Sequence, residues 1–386
     1  MRLAELCDFV NGNGFKPEQW RSQGLPIIRI QNLNGSTDFN YYDGAVRDRW
    51  IVEPGVILFA WAGVKGVSFG PCIWPGPKGV LNQHIFRVEP KEQVDLYWLY
   101  GALKLVTSRI EAKAHGFKAS LLHVQRGEVT DQIIDVPTLD EQRRIGQLLR
   151  TWDEAIEKME RLIAAKASSF DHWSSALLTG RRQLERKRLN WRSAALTDVT
   201  IEASARNREG KLDANTVMGV NKLHGMIPMK DHVRAADLSR YKIVRPGAFA
   251  YNPMRLNIGS IAQNNHGRDV LVSPDYVAFE ALSASLMPAY FDHLRRTPMW
   301  GRFVKTAGSG GVRVRIYYDD LSDFTFELPP VDEQARIVEV LDTGRREIAI
   351  LERQRDALAK QKSGLMQKLL TGEWSVRVAE SQEAAE

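Results

Sequence analysis

Cysteine is nearly missing from this chain. Cys7 and Cys72, two among 386 residues, make neither a disulfide framework nor a cysteine-based structural zinc site, and such usage fits a reducing compartment. Long apolar runs are missing too. The longest, from Val56 to Val64, falls far short of the ~20 residues that span a bilayer, and the opening MRLAELCDF has no signal-peptide core. The expectation is a cytoplasmic protein with no membrane partner. Catalytic signatures are absent as well: there is no His-Glu-x-x-His, no Gly-x-Ser-x-Gly, no Gly-x-x-x-x-Gly-Lys and no cysteine pair at ligand spacing. The eight histidines are scattered. Neither a metal nor a cofactor is expected, and no residue is assigned a catalytic role.

What the chain does have is an ordinary globular composition, 44% hydrophobic and 26% charged, at a length that calls for two or three domains. Its net charge of +6 favours a polyanionic partner, although charge alone is weak evidence.

The strongest signal is an internal repeat. PTLDEQRRI from Pro137 and PPVDEQARI from Pro329 share the pattern Pro-x-x-Asp-Glu-Gln-x-Arg-Ile at an offset of 192. Leu177-Leu178-Thr179-Gly180 and Leu369-Leu370-Thr371-Gly372 repeat at the same offset, as do Pro54-Gly55 and Pro246-Gly247. Nearer the start of each half the offset drifts to 190, where LPIIRIQNL from Leu25 aligns loosely with NTVMGVNKL from Asn215. The chain is two similar halves, roughly 1–183 and 184–386. Within them His84, His115 and His123 face Tyr276, Ala307 and Arg315, so no histidine ligand set repeats.

Each half opens with a mixed region of short apolar runs broken by Gly, Pro and Asn, which predicts short strands and turns. VILFAWAGV, IVRPGAFAY and VRVRIYY are among the expected strands, and DLYWLYGALKLVTSRIEAKA from Asp95 is an expected helix. Each half closes differently. From Gln147 to Thr179 there is no Gly or Pro, and apolar residues recur with helical spacing from Ile145 through Leu149, Trp152, Ile156, Met159 and Ile163 to Leu177. Ile337, Leu341, Ile348, Leu351, Leu358, Leu365 and Leu369 continue the pattern in the second half. Each helix is about forty residues, or ~60 Å. Stripes that long outrun a small domain, so the two helices are expected to pack as an antiparallel coiled coil. Gly344 and Gly364 predict a bend in the second helix, or its stiffening by a partner, since each glycine costs about 1 kcal/mol relative to alanine.

Basic and amide side chains recur in the same two loops of both halves. Lys65 follows VILFAWAGV, and Lys118 and Ser120 follow Gly116. In the second half Arg255 and Asn257 follow IVRPGAFAY, while Ser309, Arg313 and Arg315 follow Gly308. These residue types reach base edges and phosphates, so the loops are candidate contacts to double-stranded DNA. The run from Arg181 to Arg188 between the halves reads as a solvated helix end. Asn252-Pro253-Met254 is a partial match to the Asn-Pro-Pro-aromatic motif of amino-methyltransferases, without its second proline or aromatic residue. A stand-alone DNA methyltransferase is therefore the lesser alternative.

The two Pro-x-x-Asp-Glu-Gln-x-Arg-Ile helix starts, each about forty residues before Leu-Leu-Thr-Gly, resemble the conserved regions of specificity (S) subunits of type I restriction–modification enzymes. The resemblance covers nearly the whole chain. It implies an α+β fold with two target-recognition domains, each followed by a long α-helix, the helices pairing antiparallel. The implied domains are recognition domain 1 at 1–136, spacer helix 1 at 137–183, recognition domain 2 at 184–328, spacer helix 2 at 329–374 and a tail at 375–386. It also implies a non-catalytic role. Each recognition domain would read one half of a split, asymmetric DNA site, and the helices would set the gap between the halves. The helices and their starts, Asp140, Glu141, Gln142, Asp332, Glu333 and Gln334, would dock two modification (methyltransferase) subunits, with restriction (translocase/nuclease) subunits joining the assembly. A specificity module of another DNA-targeting defence complex stays open beside this reading. The sequence departs from the family at GFKASL (from Gly116) and GSGGVR (from Gly308), where a Gly-Ser/Thr-x-Gln-Lys-like loop is common.

Overall fold

A computed structural model describes residues 1–113, 121–185, 189–229, 235–307 and 315–376. Two compact units result: Met1–Arg161 together with the chain from Arg353 on, and Leu162–Glu352.

The same framework recurs in both. In the first unit a four-stranded antiparallel sheet runs in the order Cys7–Asn11, Ile85–Pro90, Ile57–Ala60, Gly70–Ile73. In the second the order is Thr200–Glu202, Val277–Ala281, Phe249–Tyr251, Ile261–Gln263. Packing on both faces explains why the inner strands Ile57–Ala60 and Phe249–Tyr251 are buried throughout. Ile57 and Phe59 point to a core that includes Trp98, Leu99 and Leu103 of the helix Leu96–Lys113, while Leu58 points the other way to Ile28, Val52, Trp74 and Leu81. Phe249 and Tyr251 face Tyr290 and Phe291 of the helix Pro288–Leu294, and Ala250 faces Val244, Val270 and Val272.

Three strand expectations are corrected in detail. VILFAWAGV forms two strands, Ile57–Ala60 and Ala62–Val64, and the second leaves the sheet to pair with Leu121–His123. IVRPGAFAY is also two strands, Lys242–Val244 and Phe249–Tyr251, parted by a turn at Gly247, whose φ is +86°. Of VRVRIYY, residues 315–317 are irregular rather than strand: the Tyr317 amide donates to the Asp320 side chain at 2.7 Å, not to a neighbouring strand.

The long helices span Leu139–Leu178 and Val331–Leu370, forty residues each. Their repeated ends are start and stop devices. At each start the glutamine is a clamp. Gln142 accepts from the Asp95 amide at 2.9 Å and donates to Pro137 O at 3.0 Å. Gln334 accepts from the Met287 amide at 2.8 Å and donates to Ser285 O and Pro329 O. At each stop the glycine after Leu-Leu-Thr turns left-handed, with φ +69° at Gly180 and +71° at Gly372, and ends the helix. Both units draw on both helices. Ile145, Leu149, Leu369 and Leu370 are buried in the first core, and Leu177, Leu178, Ile337 and Leu341 in the second.

Within each unit the helices meet antiparallel. Asp153 and Lys362 form an ion pair in the first unit. In the second, Lys166 and Glu347 pair at 2.6 Å, and Arg345 lies over the Phe170 ring at 5.8 Å. Asp153 and Arg345 occupy equivalent repeat positions with opposite charge, as do Phe170 and Lys362 with opposite character. The second helix runs unbroken through both glycines. Gly344 makes room, since a Cβ there would stand 2.9 Å from Phe170 Cδ2, whereas a Cβ at Gly364 meets nothing within 4 Å. Gly364→Ala should therefore raise unfolding stability by about 1 kcal/mol, while Gly344→Ala, forced against the Phe170 ring, should not. Urea unfolding of the two variants checks this difference; equal gains would show that the Phe170 approach is not tight.

Candidate nucleic-acid interface

In the second unit two loops converge. The Ile316 amide donates to Pro253 O at 3.2 Å, tying the irregular segment from Arg315 to the turn that follows Phe249–Tyr251. Asn252 folds that turn by accepting from the Met254 amide at 3.0 Å, and beyond it Arg255, just before the short helical turn Leu256–Ile258, and Asn257 within that turn are both exposed. Between the loops is a hollow of about 540 Å³, lined among others by Asn252, Asp275, Tyr276, Arg315 and Tyr317. Lys242, almost buried, pairs with Glu202 at 3.6 Å along its wall. Tyr318 bonds Thr200 at 3.0 Å, and burial holds its phenol protonated beyond the usual range. Burial also pushes the Tyr251 phenol up, with Asp320 and Glu202 adding to the effect. A guanidinium, carboxylates, an amide and phenol hydroxyls make a hydrogen-bonding surface.

The first unit builds the corresponding place from different residues. Trp61 stands where the inner strand ends. Its ring is 4.7 Å from His123, edge-on at 83°, and 5.2 Å from His84. Its indole N–H donates to Gln83 O at 3.1 Å. Lys65, exposed just beyond Ala62–Val64, donates to Glu111 O at 2.7 Å.

Lys65, Arg255, Asn257 and Arg315 are thus exposed, and Arg315 is joined to the Arg255 turn through Pro253. Lys118, Ser120, Ser309 and Arg313 lie outside the described residues. Of the residues expected to dock partners, Asp140 and Asp332 are exposed and Glu141 half-buried, but Gln142, Glu333 and Gln334 are buried. Those three have no surface to offer a partner, because the glutamines clamp the helix starts and Glu333 lies beneath Arg336, 3.7 Å from its guanidinium. Trp61, His84 and His123 are the residues that sequence reasoning passed over as readers. The available signal was that His84 and His123 align with Tyr276 and Arg315.

The Cys7 thiol is buried and pushed up to about 12 by that burial, with Asp8 adding to it. Among the described residues no cluster of three or more His, Cys, Asp or Glu side chains is placed to hold a metal ion. Nor is any described helix long and apolar enough to cross a membrane.

Residues 1–167 match the family described as the type I restriction modification DNA specificity domain. A stretch of 152 residues is 26% identical to the type I restriction enzyme EcoBI specificity subunit of Escherichia coli, covering 39% of this chain and 31% of that protein. Another of 115 residues is 30% identical to the type I restriction enzyme MjaVIII specificity subunit of Methanocaldococcus jannaschii, covering 29% and 25%. The matches thus span a third or less of those relatives. Among solved structures, the S subunit of a type I restriction-modification system from M. genitalium aligns over 96% of this chain and 95% of its own, with a TM-score of 0.56 and 15% identity. A chain from work on complex assembly and conformational transition of the type I R-M system aligns over 97% of both, at a TM-score of 0.58 and 17% identity. At these identities the likeness is one of fold: two α+β domains with two long antiparallel helices.

Proposed function

We propose that this chain, whose residues 1–167 carry a type I restriction modification DNA specificity domain, is the DNA-recognition subunit of a type I restriction–modification complex. Recognition domain 1 (1–136) reads one half-site and recognition domain 2 (184–328) the other. The spacer helices (137–183 and 329–374) set the gap between them. The exposed helix faces, with Asp140, Glu141 and Asp332, dock two modification subunits, and restriction subunits join that assembly. The chain itself does no chemistry; methylation and cleavage belong to its partners.

The observation that carries this reading is one framework used twice with different surfaces. The sheet order, the glutamine clamp and the glycine stop recur at corresponding positions, while the loops above the inner strand differ in nearly every side chain. A duplicated scaffold with diverged loops suits a reader of two unlike sequences. Selection from a random duplex pool by the complex with its modification subunits tests it. Two unrelated fixed words at a constant gap are expected; a single continuous word, or none, would refute the reading.

A further inference from the structure

One backbone hydrogen bond fixes the same spot in both units. Val124 N donates to Trp61 O at 3.0 Å in the first, and Ile316 N donates to Pro253 O at 3.2 Å in the second. Both donors and both acceptors are 192 apart. The third member of the spot comes from the neighbouring strand. Trp61 N donates to His84 O at 3.3 Å, which places His84 opposite Trp61. In the second unit that strand has slipped by one residue: Ile57 pairs with Val88, but Phe249 pairs with Phe279. Asp275 therefore takes the place of His84 by strand register, and Tyr276 takes it by sequence offset. The residue before the donor is His123 in one unit and Arg315 in the other.

The framework at this spot is constant and its side chains are not. His123 and Arg315 are both exposed, so neither is there to fill a core. His84 Nδ1 is buried yet has no hydrogen-bond partner among the described residues, and the Trp61 ring packs against both imidazoles. Among the described residues Arg315 bonds only the Tyr317 hydroxyl, at 3.3 Å, on the rim of the hollow that Asp275 and Tyr276 also line. Unspent donors and acceptors at a position that repeats in the fold but not in chemistry are what a base reader requires.

We propose that this spot is the specificity-determining site of each domain: His84 and His123 read bases of one half-site, and Asp275 and Arg315 read bases of the other. The inference rests on the DNA-recognition reading and adds which residues distinguish the half-sites. Trp61 is a positioning residue, holding the two imidazoles at fixed angles. In the second domain the guanidinium matches guanine O6 and N7, and a carboxylate beside it accepts from a cytosine amino group. The second half-site therefore contains a guanine read by Arg315.

Duplex selection with the whole complex, repeated for His123→Ala and Arg315→Ala, tests the assignment. Both side chains are exposed, so the fold should survive, and thermal unfolding of each complex verifies that. His123→Ala should relax one position of one half-site by about 10- to 100-fold and leave the other half-site untouched. Arg315→Ala should relax a guanine in the other half-site by a similar factor, and Arg315→Lys should restore only part of it, since it cannot pair bidentately. Unchanged preference at every position, or weakening that is uniform across sequences, would overturn the assignment while the wild-type words leave the recognition reading standing. A wild-type complex that selects no words would overturn both.

Discussion

Between about 50 and 200 mM salt, the affinity of the assembled complex for duplex DNA should fall ~10³–10⁵-fold. Two reading surfaces that together neutralise ~6–10 phosphates release a similar number of condensed counterions, and each release is opposed by added salt. Lys65 in the first unit and Arg255 and Arg315 in the second are exposed beside the proposed base-reading spots, on a chain of net charge +6. Binding measured across that salt range as log affinity against log salt gives the slope directly. A flat response would mean that no phosphates are engaged and would remove the DNA role. The measurement belongs to the complex rather than the isolated chain, because the proposed modification subunits also close on the duplex.

The second large effect is on stability. Asp292 carries three arginines of the second unit: Arg295 next to it, Arg296 at 3.0 Å and Arg345 of the second long helix at 3.5 Å. Burial by itself would raise the Asp292 carboxyl, but Arg295 and Arg296 outweigh it and hold the carboxyl below its ordinary value. Beside it, His293 donates Nε2–H to Asp342 at 2.8 Å. Its imidazole is held below the usual value by burial first and then by Arg345, against the pull of Asp342. Asp292→Ala leaves Arg295, almost fully buried, without its carboxylate. Losing one partner of such a cluster costs about 3–5 kcal/mol, which urea unfolding would register; a loss below about 1 kcal/mol would show that the arginines re-pair with solvent. The sign of the acid response follows. Both groups sit lower folded than unfolded, so both contributions are complete above their unfolded values. That of His293 is lost as pH falls below about 6.5, and that of Asp292 as pH falls below about 3.9.

Much of this architecture is legible from local pattern. The forty-residue helices show because helical periodicity and the lack of Pro act over neighbouring residues, and their stops show because a left-handed turn requires glycine. What each repeated residue does is less legible. Gln142 and Gln334 read as exposed docking residues, yet their partners, Asp95 and Met287, are each 47 residues away and known only once the helices pack. Gly344 reads as a weakness when its lack of a side chain admits Phe170 of the other helix. The Trp61, His84 and His123 cluster was hidden for a related reason. Three separate segments are joined by strand pairing, and a one-residue slip in the second sheet divides the counterpart of His84 between Asp275 and Tyr276. The basic loops were visible as composition, but the convergence of Arg315 on Pro253 depends on a single long-range hydrogen bond.

The central claim is that two paired helices hold two independent readers at a set spacing, and helix length tests it most directly. Lengthening one helix alone would break the register of Lys166 with Glu347 and of Phe170 with Gly344. Seven residues, close to two turns, should therefore be inserted in both, after Ala165 and after Ile348, adding ~10 Å to the pair while keeping each apolar stripe within about 20° of phase. Methylation mapping in cells carrying the altered chain with its partners gives the answer. At ~3.4 Å per base pair, the account predicts unchanged half-site words and a gap wider by about three base pairs, or about two if the helices tilt from the duplex axis. Full methylation at the original gap would contradict it.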